Sequence, residues 1–225
     1  MQVALGSISA AAAHRRALVT VACVPSVAND VLPNALQSFS AQFPDVRLRV
    51  LDESGAQVVQ SVVRADADFG VNFIGVQDAD LDFRAIYTEP YVLALQRSHP
   101  LASRQAVRWG DLRGSRLIAV SARSSNRILL DNALAGLEER PVVFCEVNHV
   151  TAALALADAG VGVGVTAVPA LAYSKLRYPS LVTVPLLEPE VRRTLGLITR
   201  KGAPLSAPAQ ALYDLLANAA GAGSG

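Results

Sequence analysis

The chain is short of the groups that catalysis, metal binding or membrane insertion would use. It has two cysteines and three histidines in 225 residues, and aromatic residues make up 5%. No apolar run is long enough to cross a bilayer, although 52% of the residues are hydrophobic. Charge of one sign is missing as well. Lys and Arg total 20 against 19 Asp and Glu, a net charge of +1, whereas nucleic-acid-binding domains carry a concentrated basic face. The basic pairs Arg15-Arg16, Arg192-Arg193 and Arg200-Lys201 read as solvated surface. There is no Gly-x-Ser-x-Gly, His-Glu-x-x-His or Cys-x-x-Cys. His14, His99 and His149 stand apart, without acids at ligand spacing. His99 precedes a proline in an exposed turn, and His149 opens a helix where it caps or lines a pocket. These absences predict neither a catalytic residue, nor a metal site, nor a cofactor. Cys23 and Cys145 sit in apolar strand-like runs, as buried reduced thiols of a cytoplasmic protein.

What is present is an alternation of strands and helices. Leu18–Cys23 is a six-residue apolar run that stops at Pro25-Ser26, and Asn29-Asp30 then opens an amphipathic helix with Pro33 in its first turn. Val46–Leu51 (VRLRVL) alternates as a strand with one face to the core. A stripe at Val58, Val59, Val62 and Val63 follows, then a short strand at Phe69–Phe73. A second block starts near Pro90, with strands at Tyr91–Leu95, Leu117–Val120, Val142–Val147, Val161–Thr166 and Thr194–Thr199. Helices are expected at about Arg127–Leu137, Val150–Ala159 and Ala207–Leu216, with Gly160 as a left-handed cap. This is the rhythm of parallel βαβ units. Ala10–Ala13 could be helical, and AAGAGSG reads as a frayed tail. Gly162, Gly164 and Ala167 match a loose dinucleotide fingerprint. They follow a helix rather than a strand, so they read as packing glycines.

In open α/β sheets ligands gather at strand ends beside helix N-termini. Small polar residues fall at such positions in both blocks: Ser26 after Pro25, then Ser54, Asn72, Ser121, Ser124, Ser125, Asn126, Asn148 and Thr166. Each alone is explained as a cap or turn residue. Together they describe two lobes facing across an anion-friendly cleft without catalytic groups. That pattern fits a binding module.

The segments LVTVACVPSVANDVLP, FPDVRLRVLDESGAQVV, ADADFGV, SHPLA, WGDLRGSRLI and ALADAGVGVGVTAVPAL resemble, in order and spacing, the effector-binding domain of LysR-type transcriptional regulators. The resemblance runs from about Leu18 to Leu216. It implies two Rossmann-like lobes joined by two crossover strands, as in type 2 periplasmic binding proteins. Lobe I would combine residues 18–89 and 193–218, and lobe II residues 90–192. Residues 1–17 would be a linker-helix remnant and 219–225 a disordered tail. A small-molecule effector, a carboxylate or aromatic acid, is implied between the lobes. The carried-over positions are Ser26 with Val27 and Ala28, Ser54-Gly55, Ser124–Asn126 and Asn148-His149.

Such domains pair head to tail as homodimers, and as tetramers in full-length regulators, with the first helix and Val46–Leu51 against lobe II of the other chain. The family's winged helix-turn-helix has no counterpart in this length, so DNA contact would fall outside this chain. No Arg or Lys stands among the matched positions, so an acidic effector would rely on hydroxyls and helix amides, and a neutral or aromatic one fits too. The alternatives are a transporter's solute-binding protein and a small α/β enzyme. The first requires export, and no signal-like segment opens the chain. The second requires a catalytic constellation.

Overall fold

A computed structural model describes residues 17–73, 79–137, 140–161 and 165–219. The Ala10–Ala13 segment, residues 162–164 of the glycine fingerprint and the tail from 220 lie outside the described residues. The first block forms β1 (Leu18–Cys23), α1 (Pro25–Asn29), α2 (Val31–Gln42), β2 (Arg47–Asp52), α3 (Gly55–Val63) and β3 (Phe69–Phe73). The next strand, β4 (Leu81–Gln96), runs on into the second block. There follow β5 (Val107–Arg108), β6 (Arg116–Val120), α4 (Ser125–Ala133), β7 (Val142–Val147) and α5 (Val150–Asp158). The chain closes with β8 (Val165–Pro169), β9 (Leu181–Leu187), β10 (Arg192–Arg200) and α6 (Ala207–Ala219).

Strands order as β2-β1-β3-β10-β4-β9-β5, with β8 also paired to β4, and β6-β7 form a separate parallel pair. β1 is parallel to β2 and β3, the expected βαβ geometry. β4 joins the two halves. Its residues 81–90 pair antiparallel with β10, and residues 91–96 pair with β8 and β9. Expectation placed a strand only at Tyr91–Leu95. The preceding LDFRAIYTEP is mostly exposed or half-buried, so it lacks the apolar run that marks a buried strand. Its register comes from β10, which sequence spacing does not reveal.

One hydrophobic cluster joins Val19, Val21, Phe39, Val58, Phe69, Leu197 and Leu212 under α2, α3 and α6. Two others lie in the second block, one around Tyr91, Trp109 and Leu112, the other around Ile118, Leu154 and Leu181. Gly160 takes φ +76° after α5, the left-handed cap expected of it. Gly196 lies at a register shift between β10 and β4. A β-carbon there would overlap the Phe83 ring, so the bare backbone is what gives that ring its room.

Several local expectations change. The helix after β1 starts at Pro25, not at Asn29-Asp30. Val24 is extended (φ −71°, ψ 149°) and Pro25 enters the first turn, where its missing N–H costs nothing. Proline read as punctuation there serves as a helix start. Asp30 interrupts the helix at φ −127°, ψ −69° without capping α2 through its side chain, and Asn29 Nδ2 donates back to the Pro25 carbonyl (2.8 Å). α4 begins two residues earlier than expected, at Ser125. His99 is half-buried rather than exposed, its Nδ1 accepting from Leu101 N–H (3.2 Å), and burial lowers its pKa. Cys23 is buried but Cys145 is only half so, because β7 exposes most of its length. Arg193, read as surface, is 2% exposed.

Candidate functional site

Several helix entrances converge on a cleft of about 520 Å³. Ser54 and Gly55 come from the start of α3, Ser124, Ser125 and Asn126 from α4, and Asn148 and His149 from the residues preceding α5. Pro25 and Ser26 come from α1, and Ser121 from the end of β6. Each helix leaves its first-turn amides without intrahelical partners, so the walls present N–H groups and hydroxyls. Ser54 is itself organised, since its N–H and its Oγ–H both donate to Gln57 Oε1 (3.1 and 2.6 Å). The helices approach each other closely. A β-carbon added at Gly55 would stand 3.2 Å from Ser125 Oγ and 3.1 Å from Asn72 Oδ1, so glycine is what lets α3 and α4 meet.

Four anticipated residues sit elsewhere. Val27 and Ala28 pack into the first hydrophobic cluster. Asn72 lies beneath the wall, where its Nδ2 donates to the Gly55 carbonyl (2.8 Å) and its Oδ1 accepts from Phe73 N–H (2.9 Å). It thereby pins the start of α3. Thr166 is buried in β8 opposite Ala94.

Two arginines serve the cleft from outside the positions that the resemblance carried over. Arg123 lines it within the Ser121–Asn126 cluster. Arg193 lies under it in a buried polar network. Its Nε and Nη2 each reach Glu89 Oε1 at 2.7 Å. Nη1 donates to Asn126 Oδ1 (3.0 Å) and Nη2 to Ser26 Oγ (3.0 Å). Tyr91 O–H donates to the same Asn126 Oδ1 (2.7 Å). Arg193 and Glu89 are register partners of β10 and β4, and the guanidinium lies 5.3 Å from the Phe73 ring centroid. Burial pushes the Tyr91 phenol well above its ordinary pKa, so it stays a donor. A signal for Arg193 was present in the sequence: it falls in phase with Leu195 and Leu197, on the inward face of a period-two strand.

Among the described residues that line the cleft there is no Asp or Glu, and Arg123 and His149 supply the ionisable groups. Groups of His, Cys, Asp and Glu able to hold a metal are absent among the described residues. The hydroxyls, the amide groups and the Arg123 and His149 side chains give the arrangement the means to hold a ligand.

A profile described as the LysR substrate binding domain matches residues 12–221. The chain belongs to the LysR substrate-binding domain family. A relative in Escherichia coli K12, the uncharacterised HTH-type transcriptional regulator YbhD, is 39% identical over 92% of this chain. The chain spans 64% of YbhD, less than two thirds of its length. Among solved structures, the effector-binding domain of QuiR in complex with shikimate superposes with a TM-score of 0.78 over 90% of this chain and 96% of its own, at 19% identity. The Synechocystis PCC6803 CcmR regulatory domain in complex with 2-PG gives a TM-score of 0.80 at 18% identity, over 90% of this chain and 97% of its own. These superpositions establish the fold of the domain, two α/β lobes of the type 2 periplasmic-binding-protein kind. Membership in a family of regulators also decides between the alternatives, and the domain is an effector-binding module rather than an enzyme or a transporter component.

Proposed function

We propose that the domain senses a small anion, a carboxylate or aromatic acid, between a lobe of residues 18–89 with 193–218 and a lobe of residues 90–192. Ligand binding shifts the lobes and so controls transcription through a DNA-binding segment outside this chain, in the cytoplasm. The observation that carries this reading is the lining of the cleft: helix entrances, hydroxyls, Arg123 and His149, with no carboxylate among its described residues. The shikimate and 2-PG complexes of the two structural relatives support the same ligand class.

The test is a thermal-shift screen of the chain with shikimate, 2-PG, benzoate and glycolate. A ligand at a hundred times its Kd adds about 2.7 kcal/mol, which is roughly 5–11 °C in a domain of this size. Ser26→Ala and Ser125→Ala should each weaken the hit. Unchanged affinity in both would remove the cleft from the reading.

The chain further works as a head-to-tail homodimer. The support is a pair of exposed faces: the edge strand β2 with Val50 at 38% exposure, and the β7 face with Val142 at 58% and Phe144 at 42%. Phe144→Glu should sediment as a monomer where the parent chain sediments as a dimer, and equal sedimentation would defeat the pairing.

A further inference from the structure

Beneath Ser26 and Asn126, which line the cleft, lies a buried floor of three residues that do not line it themselves: Glu89, Tyr91 and Arg193. All three are buried. An arginine carries five N–H donors and no acceptor, so each group it touches must turn an acceptor toward it. Nη2 at 3.0 Å takes a lone pair of Ser26 Oγ, and Nη1 at 3.0 Å takes the Asn126 amide oxygen. Only the oxygen of that amide can face a guanidinium, and the Tyr91 hydroxyl at 2.7 Å donates to the same atom. Arg193 and Tyr91 thus occupy both lone pairs of the Asn126 amide oxygen, and Arg193 occupies one of the two on Ser26 Oγ. What Asn126 retains is its two amide hydrogens, and what Ser26 retains is a hydroxyl hydrogen and a second lone pair. Glu89 meets two guanidinium nitrogens at 2.7 Å and cancels their charge. The floor therefore carries no net charge and leaves hydrogen-bond donors on Ser26 and Asn126.

We infer that Arg193 is a specificity-determining positioning residue that fixes Asn126 as a donor only and holds one lone pair of Ser26, so that the cleft prefers an acceptor-only oxyanion to the corresponding amide. This rests on the proposed ligand-sensing function and deepens it. A carboxylate presents two acceptor oxygens to the two donors. A primary amide of the same shape either presses an N–H against the Asn126 amide hydrogens or takes the second lone pair of Ser26 and leaves the hydroxyl hydrogen without its acceptor, and a buried site penalises both. One guanidinium spans α1 and α4, so it also sets the separation of the two donors. An acid engages both only while α1 and α4 keep the spacing that Arg193 imposes.

The experiment titrates the chain with three acids, each beside its primary amide: shikimate and shikimamide, benzoate and benzamide, glycolate and glycolamide. At least one acid should bind, with its amide about tenfold or more weaker. Asn126→Asp keeps an oxygen for Arg193 and Tyr91 but offers the ligand no N–H. It should lose that acid by about tenfold or more while its ligand-free melting temperature holds or rises. In Glu89→Gln/Arg193→Gln, the side chain at 193 can donate or accept, so Ser26 and Asn126 are free to turn either way. There the acid-to-amide preference should collapse toward one, a change that a merely structural role for Arg193 would not produce. If the double variant does not fold, Asn126→Asp alone decides. An acid bound no better than its amide, or a preference kept by Asn126→Asp, overturns the inference while ligand sensing stands. Binding of none of the acids overturns both.

Discussion

Removing the guanidinium of Arg193 alone should be among the most damaging single changes in the domain. In Arg193→Met the side-chain volume is roughly kept, but Glu89 loses both of its 2.7 Å partners on Arg193. Asn126 retains the Tyr91 hydroxyl, so one of its two donors remains. Ser26 loses a donor and can still donate itself. The dominant cost is the carboxylate, because Glu89 is 0% exposed. Breaking a buried pair by deleting one partner costs about 3–5 kcal/mol. For a domain of this size that is a fall in Tm of roughly 6–20 °C. Urea unfolding followed by circular dichroism measures it, with an unchanged m-value as the check that the same surface is exposed on unfolding. A loss below about 1 kcal/mol, the scale of a solvent-exposed pair, would mean that water reaches the pair and that the network does not hold the floor of the cleft.

Two further outcomes follow from the packing. Gly196→Ala drives a methyl group into the Phe83 ring and the Arg84 carbonyl, and overpacking of this kind should cost about 1–3 kcal/mol or more in the same urea assay; a neutral result would place the β10–β4 register elsewhere. Cys23 has no exposed surface, and burial, followed by Asp52 and Glu53, pushes its thiol up to about 12. It should resist iodoacetamide at pH 8 until urea unfolds the chain. A raised native pKa means that the folded state holds its proton longer than the unfolded one. Stability from this group is therefore complete below pH 9 and lost as pH climbs toward 12. Cys23→Ala should flatten that alkaline loss, and an unchanged alkaline slope would show that other groups cause it.

The fold was legible wherever apolar residues run on or recur at regular spacing along the chain. Leu18–Cys23 and Val142–Val147 match their strands residue for residue, and Val58, Val59, Val62 and Val63 mark the buried side of α3. What escaped was set by tertiary pairing. The first half of β4 is stabilised by its ladder to β10, and a ladder leaves no trace in local apolar spacing. The cleft itself was legible through helix-entrance serines and asparagines, because capping chemistry and ligand-facing chemistry call for the same residue types. Val27 was lost to the core because it follows Ser26 in a helix, so its side chain turns about 100° away. The floor was missed for a different reason. A doubled arginine in an otherwise apolar strand looks like surface unless the parity of Leu195 and Leu197 is read through to Arg193.

A buried ion pair is a weak device for stability, since an apolar pair of similar volume can serve as well or better. That fact separates two roles for Arg193 and Glu89. If the pair only holds strands together, Glu89→Leu/Arg193→Met should recover most of the stability lost in Arg193→Met and leave ligand preference untouched. If the pair sets the polarity of the floor, the same double variant should recover stability but not selectivity. With no guanidinium behind them, the Asn126 amide can turn over and both lone pairs of Ser26 are open, so an acid and its amide approach equivalence. The two readouts, urea midpoint and acid-to-amide ratio, move together in the first case and part in the second. The geometry favours the second, because two of the three side-chain hydrogen bonds that Arg193 donates go to residues that line the cleft rather than to its ion-pair partner.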